Sequence, residues 1–340
     1  MTIVVDLRVG LDFSPSAAAF WEQFWPELAR VQPTAKFIFI VPPGADGTIE
    51  VSNLQIKVIK SSSFGWLDIK SLLTYLKEVK AERYISMYEF GFGIHRAEGN
   101  WFQKKDTSIP ICLASFSTIL AKEWQKQNKV SIPFVPLKPV YVSVTTSMSW
   151  TESESIKTRF TGGRDFFLFS GDISEKHFLI DMLKGFSLFK RWQQSNMQLV
   201  IAGYSDSGTD FFEDKLGTYK FKSDVVLLKD PEEEDIGKLT AAAYGVIYPC
   251  TENTMPFYVS RCLQTGTALI ASDITVIREL TEAAAWIDNN NLQDSLANAL
   301  KLLYRDENYK NKLVENGKGS ATALDATVML EKSWEIIRGN

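Results

Sequence analysis

The chain has 340 residues, 45% of them hydrophobic and 23% charged, more than one hydrophobic core usually organises, so two domains are expected. A net charge of −4 without any Lys/Arg run gives no whole-molecule field that would gather nucleic acid, and no nucleic-acid partner is expected. Three scattered cysteines (Cys112, Cys250, Cys262) and two histidines (His95, His177) argue against a disulfide framework or a zinc site and fit a reducing cytoplasm. The apolar runs reach only strand length, so a cytoplasmic protein is expected, with peripheral contact at the inner face of a membrane left open.

Short apolar runs alternate with amphipathic segments. "TIVVDLRV" (2–9) reads as a buried first strand rather than a leader, and "SAAAFWEQFWPELARV" (16–31) as a helix. Strand-like "KFIFIVPP" and "LQIKVIKS" come next, then a helix over about 67–80, strands "RYISMYEF" and "IPICLAS", and the helix "FSTILAKEWQKQN". Residues 129–165, with prolines and a long Ser/Thr/Glu run, read as a linker region. The alternation then restarts: "DFFLFSG", helix 175–192, "MQLVIAG", a helix near 209–216, and "SDVVLLKD". Helix 232–243 has acidic residues in its first turn, which oppose the helix dipole favourably. "GVIYPC", helix 255–265, "TALIAS", "AAAWID" and helix 292–306 come after it, and a last helix over 309–338 breaks near 317–320. This rhythm predicts parallel sheets covered on both faces.

The stretches "FFLFSGDISEKHFLIDMLKGF", "LVIAG", "VVLLKD…EEEDIGKLTAAAYGVIYPCTEN" and "GTALIASDITVIREL" resemble the donor-binding half of the retaining glycosyltransferases of family 4. "TIVVDLRVGL", "LASFSTILAKEW" and "IPFVPL" are similar to shorter pieces of that family's first half. The resemblance implies an α/β chain of GT-B architecture: two Rossmann-like domains with parallel sheets facing across a cleft. It sets an acceptor-side domain at 1–160, a nucleotide-sugar domain at 161–325, and a terminal helix at 326–340 that crosses back to the first domain.

The resemblance also implies site residues. The family carries two glutamates with seven residues between them, one facing the donor sugar and one accepting from the ribose hydroxyls. Aligned on Gly266, these positions fall on Asn253, with Glu252 next to it, and on Arg261, which cannot accept a hydrogen bond. Arg261 is open to a phosphate role, its fork suiting that group, or to a structural pairing. Thr254 and Met255 complete the donor loop. Where the family holds a diphosphate with cations, "SGDISEKHF" offers Gly171, Lys176 and His177, but also Asp172. The helix start near 174–176 is a further anion site. Glu89, in "SMYEF", is the candidate charge stabiliser or general base of the first domain, and Glu252, one residue from the position that meets the donor sugar, is the catalytic candidate of the second. Tyr88 and His95 stand lower.

The activity implied by the resemblance is transfer of a sugar, with retention, from a nucleotide diphosphate sugar to a saccharide or other glycan acceptor. No cofactor and no metal are implied, and a role in polysaccharide or glycoconjugate synthesis is expected. Two alternatives stay open: a non-catalytic GT-B subunit that binds an acceptor or a partner glycosyltransferase, and a sugar-nucleotide epimerase of the same architecture.

Overall fold

The computed structural model describes residues 1–8, 15–43, 50–59, 66–87, 109–115, 117–129, 134–136, 138–141, 148–205, 208–251, 256–322 and 324–339. The chain divides into two compact units, Met1–Val142 with Ala326–Asn340, and Ser143–Asp325.

The first unit runs β1 (Thr2–Asp6), α1 (Pro15–Val31), β2 (Lys36–Val41), β3 (Leu54–Val58), α2 (Trp66–Glu78), β4 (Arg83–Met87), β5 (Ile111–Ser115), α3 (Thr118–Asn128) and β6 (Phe134–Pro136). Its strands form one parallel sheet in the order β3-β2-β1-β4-β5-β6. A parallel sheet is covered on both faces, which is why β1 and β2 are continuous apolar runs rather than alternating ones. From α1, Phe20, Trp21, Phe24, Trp25 and Leu28 recur at helical spacing and are all buried.

The second unit runs α4 (Trp150–Thr161), β7 (Phe166–Ile173), a 3-10 turn (Glu175–His177), α5 (Leu179–Gln193), β8 (Gln198–Ser205), α6 (Thr209–Gly217), β9 (Val225–Lys229), α7 (Glu233–Ala242), β10 (Gly245–Tyr248), α8 (Phe257–Thr265), β11 (Leu269–Ser272), α9 (Thr275–Arg278), β12 (Ala285–Ile287), α10 (Leu292–Arg305) and α11 (Glu307–Thr322). Its sheet is also parallel, ordered β12-β11-β10-β7-β8-β9, and every residue of β7 is buried. Leu179, Met182, Leu183, Phe186 and Phe189 of α5 meet Leu296, Leu300 and Leu303 of α10 in its main core. The last helix, α12 (Ala326–Arg338), belongs to the first unit: Arg83 donates to the carbonyls of Ile337 and Arg338, and Trp334 lies against Phe37.

Two expectations from the sequence are corrected. The expected linker contains α4, started by a capping box in which Ser149 accepts from the Glu152 N–H and Glu152 accepts from the Ser149 N–H. The break expected near 317–320 falls instead between α11 and α12, because Gly317 stays helical and buried, with Leu263 and Ala283 where its side chain would project.

In each sheet the winding reverses at one point, between β1 and β4 in the first and between β7 and β10 in the second. Right-handed crossovers then place the helices leaving those two strands on opposite faces, which opens a crevice at their carboxyl ends.

Candidate functional site

The crevice of the second unit is framed by the ends of β7 and β10. At the end of β7, Gly171 has φ +155°, and a Cβ there would lie 3.0 Å from the Phe169 ring and 3.3 Å from His177 Nε2. Its partner in register on β8 is Gly203, where a Cβ would come within 2.5 Å of the Gly171 carbonyl oxygen. A side chain at Gly203 would displace the strand ends, and one at Gly171 would press on the Phe169 and His177 rings from a backbone conformation that favours glycine. Asp172 comes next, 7% exposed.

The 3-10 turn after β7 places the His177 ring, 2% exposed, between Phe169 and Tyr248, with centroids 5.2 and 5.3 Å away. His177 Nδ1 lies 3.1 Å from the Pro249 carbonyl. Because a carbonyl only accepts, Nδ1 carries the proton, and the imidazole ties the β7 turn to the exit of β10. Gly171 and His177 are therefore brought together.

The exit of β10 is held from the other side as well. The Cys250 N–H donates to Ser272 Oγ at 2.9 Å, Asn289 Nδ2 donates to the Cys250 carbonyl at 2.9 Å, and Ser272 Oγ donates to Asn289 Oδ1 at 2.6 Å. This clamp fixes the chain as it enters 252–255. Glu252, Asn253, Thr254 and Met255 lie outside the described residues, as do Glu89, Tyr88 and His95. Lys176 stands in the 3-10 turn, with only its backbone described.

Arg261, in the second turn of α8, is 3% exposed. Its Nη2 donates to Glu233 Oε2, in the first turn of α7, and its guanidinium lies 5.6 Å from the Tyr258 ring centroid. Glu233 Oε1 accepts from the Tyr204 hydroxyl, at the end of β8, at 2.6 Å. Glu233 keeps 24% of its side chain exposed. Neither Glu233 nor Tyr204 stands out in the sequence: the glutamate passes for one more acid in a helix's first turn, and positions 204, 233 and 261 share no local pattern.

Beside the 3-10 turn, a cavity of about 200 Å³ is lined by Ser174, Glu175, Phe178, Asp181, Gly208 and Phe211, among others. Its two carboxylates disfavour an anion there. Among the described residues, no group of three His, Cys, Asp or Glu side chains could hold a metal ion.

Residues 151–320, half of the chain, match the family model described as "Glycosyl transferases group 1". The chain belongs to the group 1 glycosyl transferases. Solved structures with the same fold include WaaG, "a glycosyltransferase involved in lipopolysaccharide biosynthesis", at 13% identity and TM-score 0.73, covering 99% of this chain and 100% of that one. Another is Anabaena Alr3699/HepE in complex with UDP-glucose, at 10% identity and TM-score 0.77, covering 100% of both chains. A third is the sucrose-phosphate synthase of Thermosynechococcus elongatus, at 12% identity and TM-score 0.75, covering 99% of this chain and 98% of that one. At these identities the likeness shows the fold, which is GT-B. No curated protein matches the chain in sequence. Among the described residues of this group 1 member, no helix is long and apolar enough to cross a membrane.

Proposed function

We propose that the chain transfers a sugar, with retention, from a nucleotide diphosphate sugar bound by the second unit to a saccharide or other glycan acceptor. The observation that carries this reading is the family match over 151–320, whose strands build the crevice at β7 and β10. Anabaena HepE, of the same fold, is described in complexes with UDP and with UDP-glucose.

The chemistry asked of the protein is positioning and stabilisation of the departing diphosphate. In this reading the bare Gly171 backbone and the turn carrying Lys176 face the diphosphate, and His177 fixes that turn against β10. Arg261 acts on the donor through its partner Glu233. Glu252, Asn253, Thr254 and Met255 meet the donor sugar and its phosphates, and Glu89 stabilises charge from the acceptor side. The reading includes no cofactor or metal, and it sets the protein in polysaccharide or glycoconjugate synthesis on the cytoplasmic side. Contact with a membrane surface or a partner glycosyltransferase belongs to it as well.

One observation favours a second reading, a non-catalytic subunit that keeps the fold as a binding surface. A buried Arg261 and a buried Asp172 stand where the family resemblance implies a carboxylate and a cation. Calorimetric titration of the full chain with UDP, GDP and ADP separates the two. Binding of one nucleotide, weakened by Glu252→Ala and by Lys176→Ala, supports the transferase. A folded chain that binds none of the three supports the subunit.

A further inference from the structure

We infer that Glu233 is the residue that accepts the two vicinal ribose hydroxyls of the donor nucleotide, and that Arg261 and Tyr204 are the positioning residues that hold it there. This assignment rests on the donor reading and fills one subsite within it.

A vicinal diol presents two donors side by side, and an ionised carboxylate presents two acceptor oxygens with about four lone-pair sites. In Glu233 one site on each oxygen is taken, Oε1 by the Tyr204 hydroxyl and Oε2 by Arg261. One site on each oxygen is left, and with 24% of the side chain exposed the group is reachable from solvent. Both restraining groups come from rigid elements: Tyr204 from β8, in register with Asp172 of β7, and Arg261 from α8. The carboxylate is thus held over the carboxyl edge of the sheet before any ligand arrives, which lowers the ordering cost of binding.

Glu233 differs from the acids around it. Glu234 pairs with Lys238 one turn along α7, and Asp235 takes both guanidinium nitrogens of Arg159 from α4. Those contacts belong to a solvated helix surface; of the acids in the first turn of α7, Glu233 is the one engaged by a tyrosine from the sheet and a buried arginine. A carboxylate needed only to neutralise Arg261 has no reason to remain a quarter open, since a guanidinium fork is matched best by a carboxylate closed around it. Position 261, where the family resemblance implies an acceptor, carries a donor here, and that donor delivers an acceptor from the facing helix.

The test is a cycle of ligand against variant on the full chain. Wild type, Glu233→Gln, Arg261→Lys and Tyr204→Phe are titrated calorimetrically with UDP, GDP and ADP and with the 2′,3′-dideoxy form of each. For the nucleotide that binds, removing the hydroxyls weakens wild type about ten- to a hundred-fold, as for hydrogen bonds to a charged group. Glu233→Gln weakens the hydroxylated nucleotide by a similar factor and leaves the dideoxy form within about two-fold of wild type. Arg261→Lys and Tyr204→Phe give smaller losses with the same selectivity. Should Glu233→Gln fail to fold, Tyr204→Phe, which keeps the ion pair, gives the same comparison. Equal losses on both forms, or none on either, make the network purely structural and overturn the inference while the donor reading survives. A wild type that binds none of the three nucleotides overturns both.

Discussion

Each unit carries, at the carboxyl edge of its sheet, a carboxylate held by one arginine and one tyrosine hydroxyl. In the first unit Asp6 Oδ1 accepts from Arg8 Nε at 2.9 Å and Oδ2 from Arg8 Nη2 at 2.6 Å, while the Tyr84 hydroxyl donates to Oδ2 at 2.8 Å. In the second, Glu233 accepts from Arg261 and Tyr204. The chemistry is the same and the access is not: Asp6 and Arg8 are 1% and 2% exposed, whereas the Glu233 side chain is 24% exposed. Asp6 meets a two-pronged arginine within two residues of itself and has its remaining acceptor need met by tyrosine and by the Arg8 N–H. Glu233 gathers its partners from two other elements and keeps about a quarter of its side chain exposed. The first cluster is closed to solvent, and the second is where we propose the ribose binds. Burial and the adjacent Asp6 also push the Tyr84 hydroxyl well above its ordinary range, so it stays a proton donor throughout the physiological span.

The sharpest way to break this contrast is to remove the sealed carboxylate. Asp6→Ala deletes one member of a buried ion pair and is expected to cost about 3–5 kcal/mol in urea unfolding. A loss under about 1 kcal/mol means the cluster is open after all. Glu233→Gln is expected to cost less, about 1–3 kcal/mol by the same measurement, with its larger effect on nucleotide affinity. Equal destabilisation by the two variants would erase the distinction.

Gly203→Ala tests the frame that carries Tyr204. A methyl group 2.5 Å from the Gly171 carbonyl forces β7 and β8 apart, and about 1–3 kcal/mol of stability is expected to be lost on thermal unfolding. The smallest effect concerns pH. Asp230 accepts from the N–H and the hydroxyl of Ser205, the residue after Tyr204, and these bonds hold its carboxyl below the ordinary aspartate range. Because the folded value is depressed, the contribution is complete above the ordinary range and fades as pH falls through the folded value. Asp230→Asn is therefore expected to lose a small part of the stability at neutral pH and to flatten the acid limb of the curve, the variant and wild type converging at low pH.

Much of this was legible in the amino-acid order. Continuous apolar runs such as FIFIV and FFLF announce strands buried on both faces, and their alternation with amphipathic helices announces parallel sheets. The helix 150–161 was equally legible, since Ser149 and Glu152 have capping-box spacing, but the surrounding polar composition outweighed it. Arg261 announced itself as an anomaly without naming its partner. Glu233 lies 28 residues away on another helix and Tyr204 a further 29 back on a strand, a separation that only the fold closes. His177 falls in the helix expected over 175–192, whereas its place in a 3-10 turn, enclosed by Phe169 and Tyr248, depends on two strands meeting.

The central claim, that the carboxyl edge of the second sheet holds a nucleoside diphosphate, is tested most directly by a crystal structure of the full chain grown with UDP, GDP or ADP. The expected result is one nucleotide with its diphosphate against Gly171 and the 3-10 turn and its ribose on Glu233. A nucleotide lodged on the first unit, or crystals that exclude all three, would contradict the account.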